Sequence, residues 1–231
     1  MRIAVFGANG PTGRHLTDQA LAAGHEVVAV TRRPGSLPSE RPGLAVAVAD
    51  ATDPAAVDAA IAGTDAVLSA LGARFSKETI TTYSASATAI TGAMTRHGIE
   101  RLLTISSSIA DPNWRPTGAH FFNHVLDPLV NRRLGRTLHE DMRRMEAVIR
   151  QTDLDWTLVR PSGLFEHPVV TDYHAAETSA DGVFTARADL AASMLRELEE
   201  RRYVRTAMGV ITTAVKPNIA KLIWHEGVKK K

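Results

Sequence analysis

The chain has 231 residues, 44% of them hydrophobic, and a formal net charge of +2, which suits a single domain with a small annex. It contains no cysteine, which excludes disulfides, thiolate metal sites and cysteine nucleophiles and agrees with a reducing compartment. So small a charge makes no case for nucleic acid, and no apolar run approaches the roughly 20 residues that span a bilayer. After Met1-Arg2-Ile3, any apolar leader is interrupted at Gly7, Asn9, Gly10 and Pro11, so the expected location is the cytoplasm, without membrane or metal.

Taken in chain order, short apolar runs alternate with helix-patterned segments. RIAVF (2–6) reads as a strand, followed by a helix over 12–23 that Gly24 closes. EVVAVT (26–31) and LAVAVA (44–49) are the next strands, with a Pro- and Gly-rich loop between them. Asp53 then caps a helix that opens with Pro54. DAVLSALG (65–72) predicts a fourth strand and 78–97 a long helix ending at Gly98. RLLTISSS (101–108) and LDWTLVRP (154–161) are the fifth and sixth strands. Between these two, 139–152 forms an amphipathic helix with Met142, Met145, Val148 and Ile149 on one face. Further helices are expected over 189–202, with Asp189 as its cap, and over 218–227. Strands apolar throughout and separated by helices predict an α/β fold, a Rossmann-like doubly wound parallel sheet. Segments 109–136 and 162–186, irregular and rich in Pro, Gly and His, would form the substrate-covering annex of a single 1–231 domain.

The heptapeptide GANGPTG (7–13) joins the first strand to the first helix. Gly7 suits a tight turn, Gly10 lets a pyrophosphate approach the backbone, and Gly13 lets the helix sit against the strand. The helix N-terminus then offers free amides and a partial positive charge to an anion. A tight turn without a ligand is the alternative. An acidic residue at the end of the second strand would bind a ribose 2′-hydroxyl, but this strand ends Thr31-Arg32-Arg33, which favours a 2′-phosphate and hence NADP (NADPH). Arg14 could add charge there. Asp50, after the third strand, is placed for an adenine amino group, with local turn bonding as its competitor. Leu71 and Gly72 would bring backbone against the middle of the cofactor.

GANGPTG, VTRRPGSLPSE, VADATD, AVLSALGA, RHGIERLLTISSS and HEDMRRMEAVIRQTDLDWTLVRPSGL resemble the atypical short-chain dehydrogenases. The closer likeness is to the NAD(P)H-binding group that contains NmrA-like proteins and an NADPH-dependent flavin reductase, and it runs from Met1 to about Val210. The resemblance implies cofactor phosphates at Gly7, Asn9, Gly10, Pro11 and Thr12, the 2′-phosphate at Arg32, and adenine at Asp50 and Ala51. It implies the nicotinamide side beside Ser106, Ser107 and the turn Pro161-Ser162-Gly163, with Ser107 next to the reacting ring as the catalytic candidate. A histidine that the flavin-reductase branch carries after the sixth strand is replaced by Gly163.

Typical short-chain dehydrogenases pair a tyrosine with a lysine four residues on. Here Tyr83, Tyr173 and Tyr203 are followed at that spacing by Ala87, Glu177 and Ala207. A ketone reduced to an alkoxide wants a positioned acid, worth about 10²–10⁴-fold. A flavin or quinone delocalises the arriving charge and needs mainly proximity and orientation. The sequence therefore predicts an NADPH-dependent reductase of conjugated acceptors, acting as a monomer or weak homodimer. An NmrA-type nucleotide sensor is the alternative, and a sugar-nucleotide epimerase ranks last. His120, His124 and His167 are possible proton donors, while His139 and Glu140 read as helix surface. Trp114 and Phe121-Phe122 suit a pocket wall or the core. The basic run 132–136 suits a solvated face or a phosphorylated substrate, and Arg187 a surface or capping role.

Overall fold

The computed structural model describes residues 1–33, 35, 37, 41–119 and 135–217. His120, Phe121, Phe122, His124, Arg132, Arg133 and the expected helix over 218–227 lie outside the described residues.

The elements are β1 (Arg2–Phe6), α1 (Pro11–Ala22), β2 (Glu26–Thr31), β3 (Leu44–Val48), α2 (Pro54–Ile61), β4 (Ala66–Ser69), α3 (Thr82–His97) and β5 (Arg101–Ile105). After a single 3-10 turn at Ser108–Ala110 come α4 (Arg136–Arg150), β6 (Asp155–Pro161), β7 (Gly163–Phe165), β8 (Tyr173–Glu177), β9 (Phe184–Ala186), α5 (Arg187–Glu200) and β10 (Thr206–Thr212). Eight strands form one sheet in the order β3-β2-β1-β4-β5-β6-β10-β8, and β7 pairs with β9 in a small second sheet. All neighbours in the large sheet are parallel except β8, which runs antiparallel to β10 at the edge. This is the expected Rossmann-like doubly wound architecture.

The strands are apolar on both faces because both are covered. From β1, Ala4 and Phe6 point into a core closed by α2, α3 and α4, while Ile3 and Val5 point into the core under α1 and α5. Alternation along an extended chain sends successive side chains to opposite layers, so a doubly covered strand loses the polar half of its pattern. β1 lies between β2 and β4, so the connections after β1 and after β4 diverge over opposite faces. The crevice between them, beyond the carboxyl ends of the strands, is the usual ligand position in such sheets.

Four expectations are corrected. The helix expected from residue 78 starts at Thr82, capped from another element: the buried Asp141 carboxylate of α4 accepts from Tyr83 N (2.8 Å), Ser84 N (3.4 Å) and Ser84 Oγ (2.5 Å). Residues 79–81 line the crevice instead. Asp189 is not the cap of α5, which begins at Arg187. Fully buried, it accepts from Thr171 N (2.6 Å), Thr171 Oγ1 (2.9 Å) and Thr212 Oγ1 (2.5 Å), tying the 166–172 loop to β10. The fifth strand stops at Ile105, and Ser107 caps the following 3-10 turn. Segment 162–186 is not wholly irregular, since β7 and β9 pair within it and β8 joins the large sheet.

Asp53 does cap α2, its Oδ1 accepting from Ala55 N (2.9 Å) and Ala56 N (3.4 Å). The methionine face of α4 also packs as expected, with Met142, Met145 and Ile149 buried and Val148 against the same core. Trp114 is buried, its Nε1 donating to Ala180 O (3.1 Å), so it packs rather than walls the crevice.

Candidate functional site

The crevice at the switch between β1 and β4 opens into a cleft of about 1000 Å³, at the upper end of the range typical for ligand sites. At its base the glycine turn is built by contacts that a side chain would break. Gly7 sits at φ +73°, and a Cβ there would meet Ala70 O at 2.5 Å. A Cβ on Gly13 would fall 2.1 Å from Gly7 O, so this glycine packs the first turn of α1 against the loop from behind the cleft. Gly10 differs: its N–H donates to Gly7 O (2.8 Å), and a Cβ would meet only that oxygen, at 3.1 Å, before entering the cleft. Pro11 occupies the first helical position, where no amide is needed. Arg14 turns away from the cleft and holds the loop, donating from Nε to Asn9 O (3.1 Å) and from NH2 to Asn9 Oδ1 (2.6 Å).

Arg32 and Arg33 line one end of the cleft, beyond β2, and Asp50 and Ala51 stand beside them after β3. Asp50 Oδ1 accepts from Thr52 N (2.9 Å) and Thr52 Oγ1 (2.7 Å), so the turn role and the cleft position coexist. These two bonds, backbone first, hold the Asp50 carboxyl below its ordinary pKa, and the Arg32 charge adds to the effect. Leu71 and Gly72, after β4, line the middle.

At the other end are Ser106, Ser107, Pro161, Ser162 and Gly163. Several hydroxyls here are already engaged. Ser106 Oγ donates to buried Glu146 Oε1 (2.7 Å), and Ser107 Oγ accepts from Ile109 N (3.3 Å) while lining the cleft. Ser162 Oγ donates to Gly182 O (2.9 Å). Beneath them Arg160 binds Glu146 through Nε (3.0 Å) and NH2 (2.6 Å), with Asp111 Oδ2 at 3.6 Å. Burial alone would raise the Glu146 pKa; the Arg160 bonds and charge, helped by Ser106 and Arg150, outweigh it and hold the carboxyl below its usual value.

Beyond the expected positions, the lining includes three titratable residues of interest: His139, Tyr83 and Arg187. His139, expected on the helix surface, is buried and lines the cleft from the first turns of α4, which starts three residues earlier than its pattern suggests. Tyr83 lines the cleft too, its hydroxyl accepting from Ala73 N (2.9 Å). Burial raises its pKa, and the nearby Asp141 charge adds to this against the opposing Ala73 bond. Arg187 reaches the glycine-turn side of the cleft from the start of α5. A lone basic residue before a helix carries no signal in sequence that it turns inward. His167 does not line the cleft; its Nδ1 contacts Val169 O (2.8 Å) within its own loop. Among the described residues no cluster of three or more His, Cys, Asp or Glu could hold a metal, and no helix is long and apolar enough to cross a membrane.

A glycine turn, a helix N-terminus and two arginines around one cleft are a dinucleotide-binding arrangement, and the family model described as "NAD(P)H-binding" matches residues 7–201. The chain belongs to the NAD(P)H-binding family. Its fold is shared with a short-chain dehydrogenase/reductase from Veillonella parvula solved in complex with NADP (20% identity, 94% of this chain and 98% of that one, TM-score 0.77). It is shared likewise with the anaerobillin reductase ChuY of Escherichia coli (20% identity, 94% and 100% covered, TM-score 0.75). An oxidoreductase from Lactococcus lactis is similar at 15% identity, with 100% and 98% covered and a TM-score of 0.75. Among curated sequences, an uncharacterized protein of Mycobacterium tuberculosis is 50% identical over 68 residues, 29% of this chain. The match spans only 8% of that relative's length.

Proposed function

We propose that this protein is an NADPH-dependent oxidoreductase that passes a hydride to a flavin, a quinone or a similar conjugated acceptor. The observation that carries the reading is the asymmetry of the cleft: two arginines and a glycine-lined helix start at one end and, among the described residues, no tyrosine–lysine pair at the other. Gly10 fits a bound phosphate, because a side chain there would fill the space that its backbone now leaves open. The amides at the start of α1 would take the diphosphate, and Arg32 with Arg33 the 2′-phosphate. Asp50 and Ala51 would face the adenine, Leu71 and Gly72 the middle of the cofactor, and Ser107, Pro161, Ser162 and Gly163 the nicotinamide end. The bound nicotinamide supplies the hydride.

What remains for the chain is to hold an acceptor ring against that end and exclude water. Tyr83 is a poor proton shuttle: burial and Asp141 raise its pKa, whereas a neighbouring lysine would lower it. An acceptor whose π-system spreads the incoming charge, with water supplying the proton, suits such a site better than a simple ketone. Following NADPH absorbance with FMN, riboflavin, quinones, an anaerobillin (after the structural relative so named) and aliphatic ketones tests this. Turnover of conjugated acceptors and not of ketones is expected. Ready ketone reduction with no turnover of the others would refute it, and tight NADPH binding without any oxidation would point instead to a nucleotide sensor.

A further inference from the structure

The small sheet β7–β9 does more than cover the cleft. Its register pairs Phe165 with Ala186, so the residues that follow the two strands, Glu166 and Arg187, are brought side by side. Arg187 Nε lies 2.6 Å from Glu166 Oε1 as an ion pair, yet among the described residues this buried N–H has no aligned hydrogen-bond acceptor. Its NH1 reaches 3.5 Å from Thr12 Oγ1, in the first turn of α1. On the other side of the carboxylate, His15 Nε2 stands 3.5 Å from Glu166 Oε2. Arg187 is only 21% exposed at its side chain, Glu166 64%. A mostly covered cation therefore points at the glycine turn, balanced by a carboxylate that stands in solvent.

We propose that Arg187 is a second phosphate-binding cation of the cleft, acting on the cofactor diphosphate, and that Glu166 competes with the diphosphate for it. This rests on the dinucleotide reading above and assigns a residue and a counter-charge within it. Arg32 and Arg33 follow β2, whereas Arg187 comes from α5 and touches the turn where the diphosphate would lie. The two sets of cations therefore have separable targets: one distinguishes NADPH from NADH, and the other serves both alike. A guanidinium offers several donors in one plane, and bonds to charged groups are the stronger class. Glu166 lowers the effective charge offered to the phosphates, because an anion arriving at Thr12 must share Arg187 with it.

Dissociation constants for NADPH and NADH, measured by calorimetry on wild type, R187Q, R187K and E166Q, test the assignment without turnover. R187Q is expected to weaken both dinucleotides by a similar factor, at least about tenfold, with R187K recovering part of it. E166Q, a change at an exposed side chain, should tighten both by about two- to fivefold. Inorganic pyrophosphate should compete with NADPH on wild type and much less on R187Q. Unchanged affinities in R187Q, or loss confined to NADPH, would overturn the proposal. If R187Q does not fold, an E166Q protein that binds no more tightly than wild type overturns it equally. Wild type that binds neither dinucleotide would instead sink the functional reading itself, a separate and recognisable result.

Discussion

Replacing Glu146 by glutamine tests the polar floor beneath the serine-lined end of the cleft. Its two oxygens accept from Arg160 Nε (3.0 Å) and NH2 (2.6 Å) and from Ser106 Oγ (2.7 Å), all buried. Glutamine keeps one acceptor, but its amide nitrogen must face one of Arg160's donors and the negative charge is gone. Breaking a buried ion pair by removing one partner costs about 3–5 kcal/mol. Asp111, 3.6 Å from Arg160, supplies a second carboxylate and argues for the lower end, about 3 kcal/mol. At about 2–4 °C per kcal/mol for a chain of this size, the Tm should fall by roughly 6–12 °C. Urea unfolding followed by tryptophan fluorescence gives the free energy directly. Replacing both partners, as E146L with R160M, should recover only part of the loss, because the buried Asp111 then loses its Arg160 partner. The gap between wild type and E146Q should also depend on pH. The folded-state pKa of Glu146 lies below its unfolded value, so its contribution is present above about pH 4.3 and is lost as pH falls through the lower folded-state pKa. A loss under about 1 kcal/mol at neutral pH, or a gap that widens on acidification, would refute this reasoning.

The other expectations concern the loop, the cofactor preference and one cap. R32S should lower the NADPH-over-NADH preference about tenfold or more while barely changing NADH binding; an unchanged ratio of dissociation constants removes Arg32 from the 2′-phosphate. G13A places a methyl 2.1 Å from Gly7 O, which forces the turn to shift by about an ångström, so NADPH affinity should drop by around 10²-fold. Wild-type binding by a folded G13A protein would contradict that geometry. D53A removes both bonds that start α2 and should cost about 1 kcal/mol, visible as a Tm lowered by about 2–4 °C with cofactor binding intact.

The parallel half of the fold was legible because its signals are local. β1, β2 and β3 are short unbroken apolar runs, Asp53-Pro54 is a helix start, and GANGPTG stands where a strand must turn into a helix. β10 was not legible. TAMGVIT carries a glycine in mid-strand, which weakens the pattern, and the structure shows why it is there: a Cβ at Gly209 would meet Ala180 N at 2.1 Å. That requirement comes from a loop nearly thirty positions away and leaves no trace in the local pattern. The same holds for α3, whose start is set by Asp141, and for Asp189, whose partners come from residues 171 and 212. At the cleft, the residues expected from the glycine motif and strand ends do converge, apart from Gly13 behind it. His139 and Arg187 were missed because only tertiary packing turns them inward.

The convergence bears on which chemistry the cleft can host. The end after β2 and β3 presents charge: Arg32 and Arg33 stand beside Asp50, whose carboxyl pKa is held low, so a polyanion bound there would meet donors that water can also reach. Its far end is committed. Ser106 Oγ donates to Glu146 and Ser162 Oγ to Gly182 O, so two hydroxyls that could have stabilised a developing alkoxide already use their protons within the fold. Redirecting Ser106 toward a substrate would strand the buried Glu146 carboxylate oxygen, at about 1–3 kcal/mol. A reaction that needs no new side-chain donor avoids that cost, which is the condition a conjugated acceptor meets and an isolated carbonyl does not. Polar groups locked into the scaffold also keep their positions, and a fixed surface is what the proposed proximity mechanism would require to orient an acceptor ring.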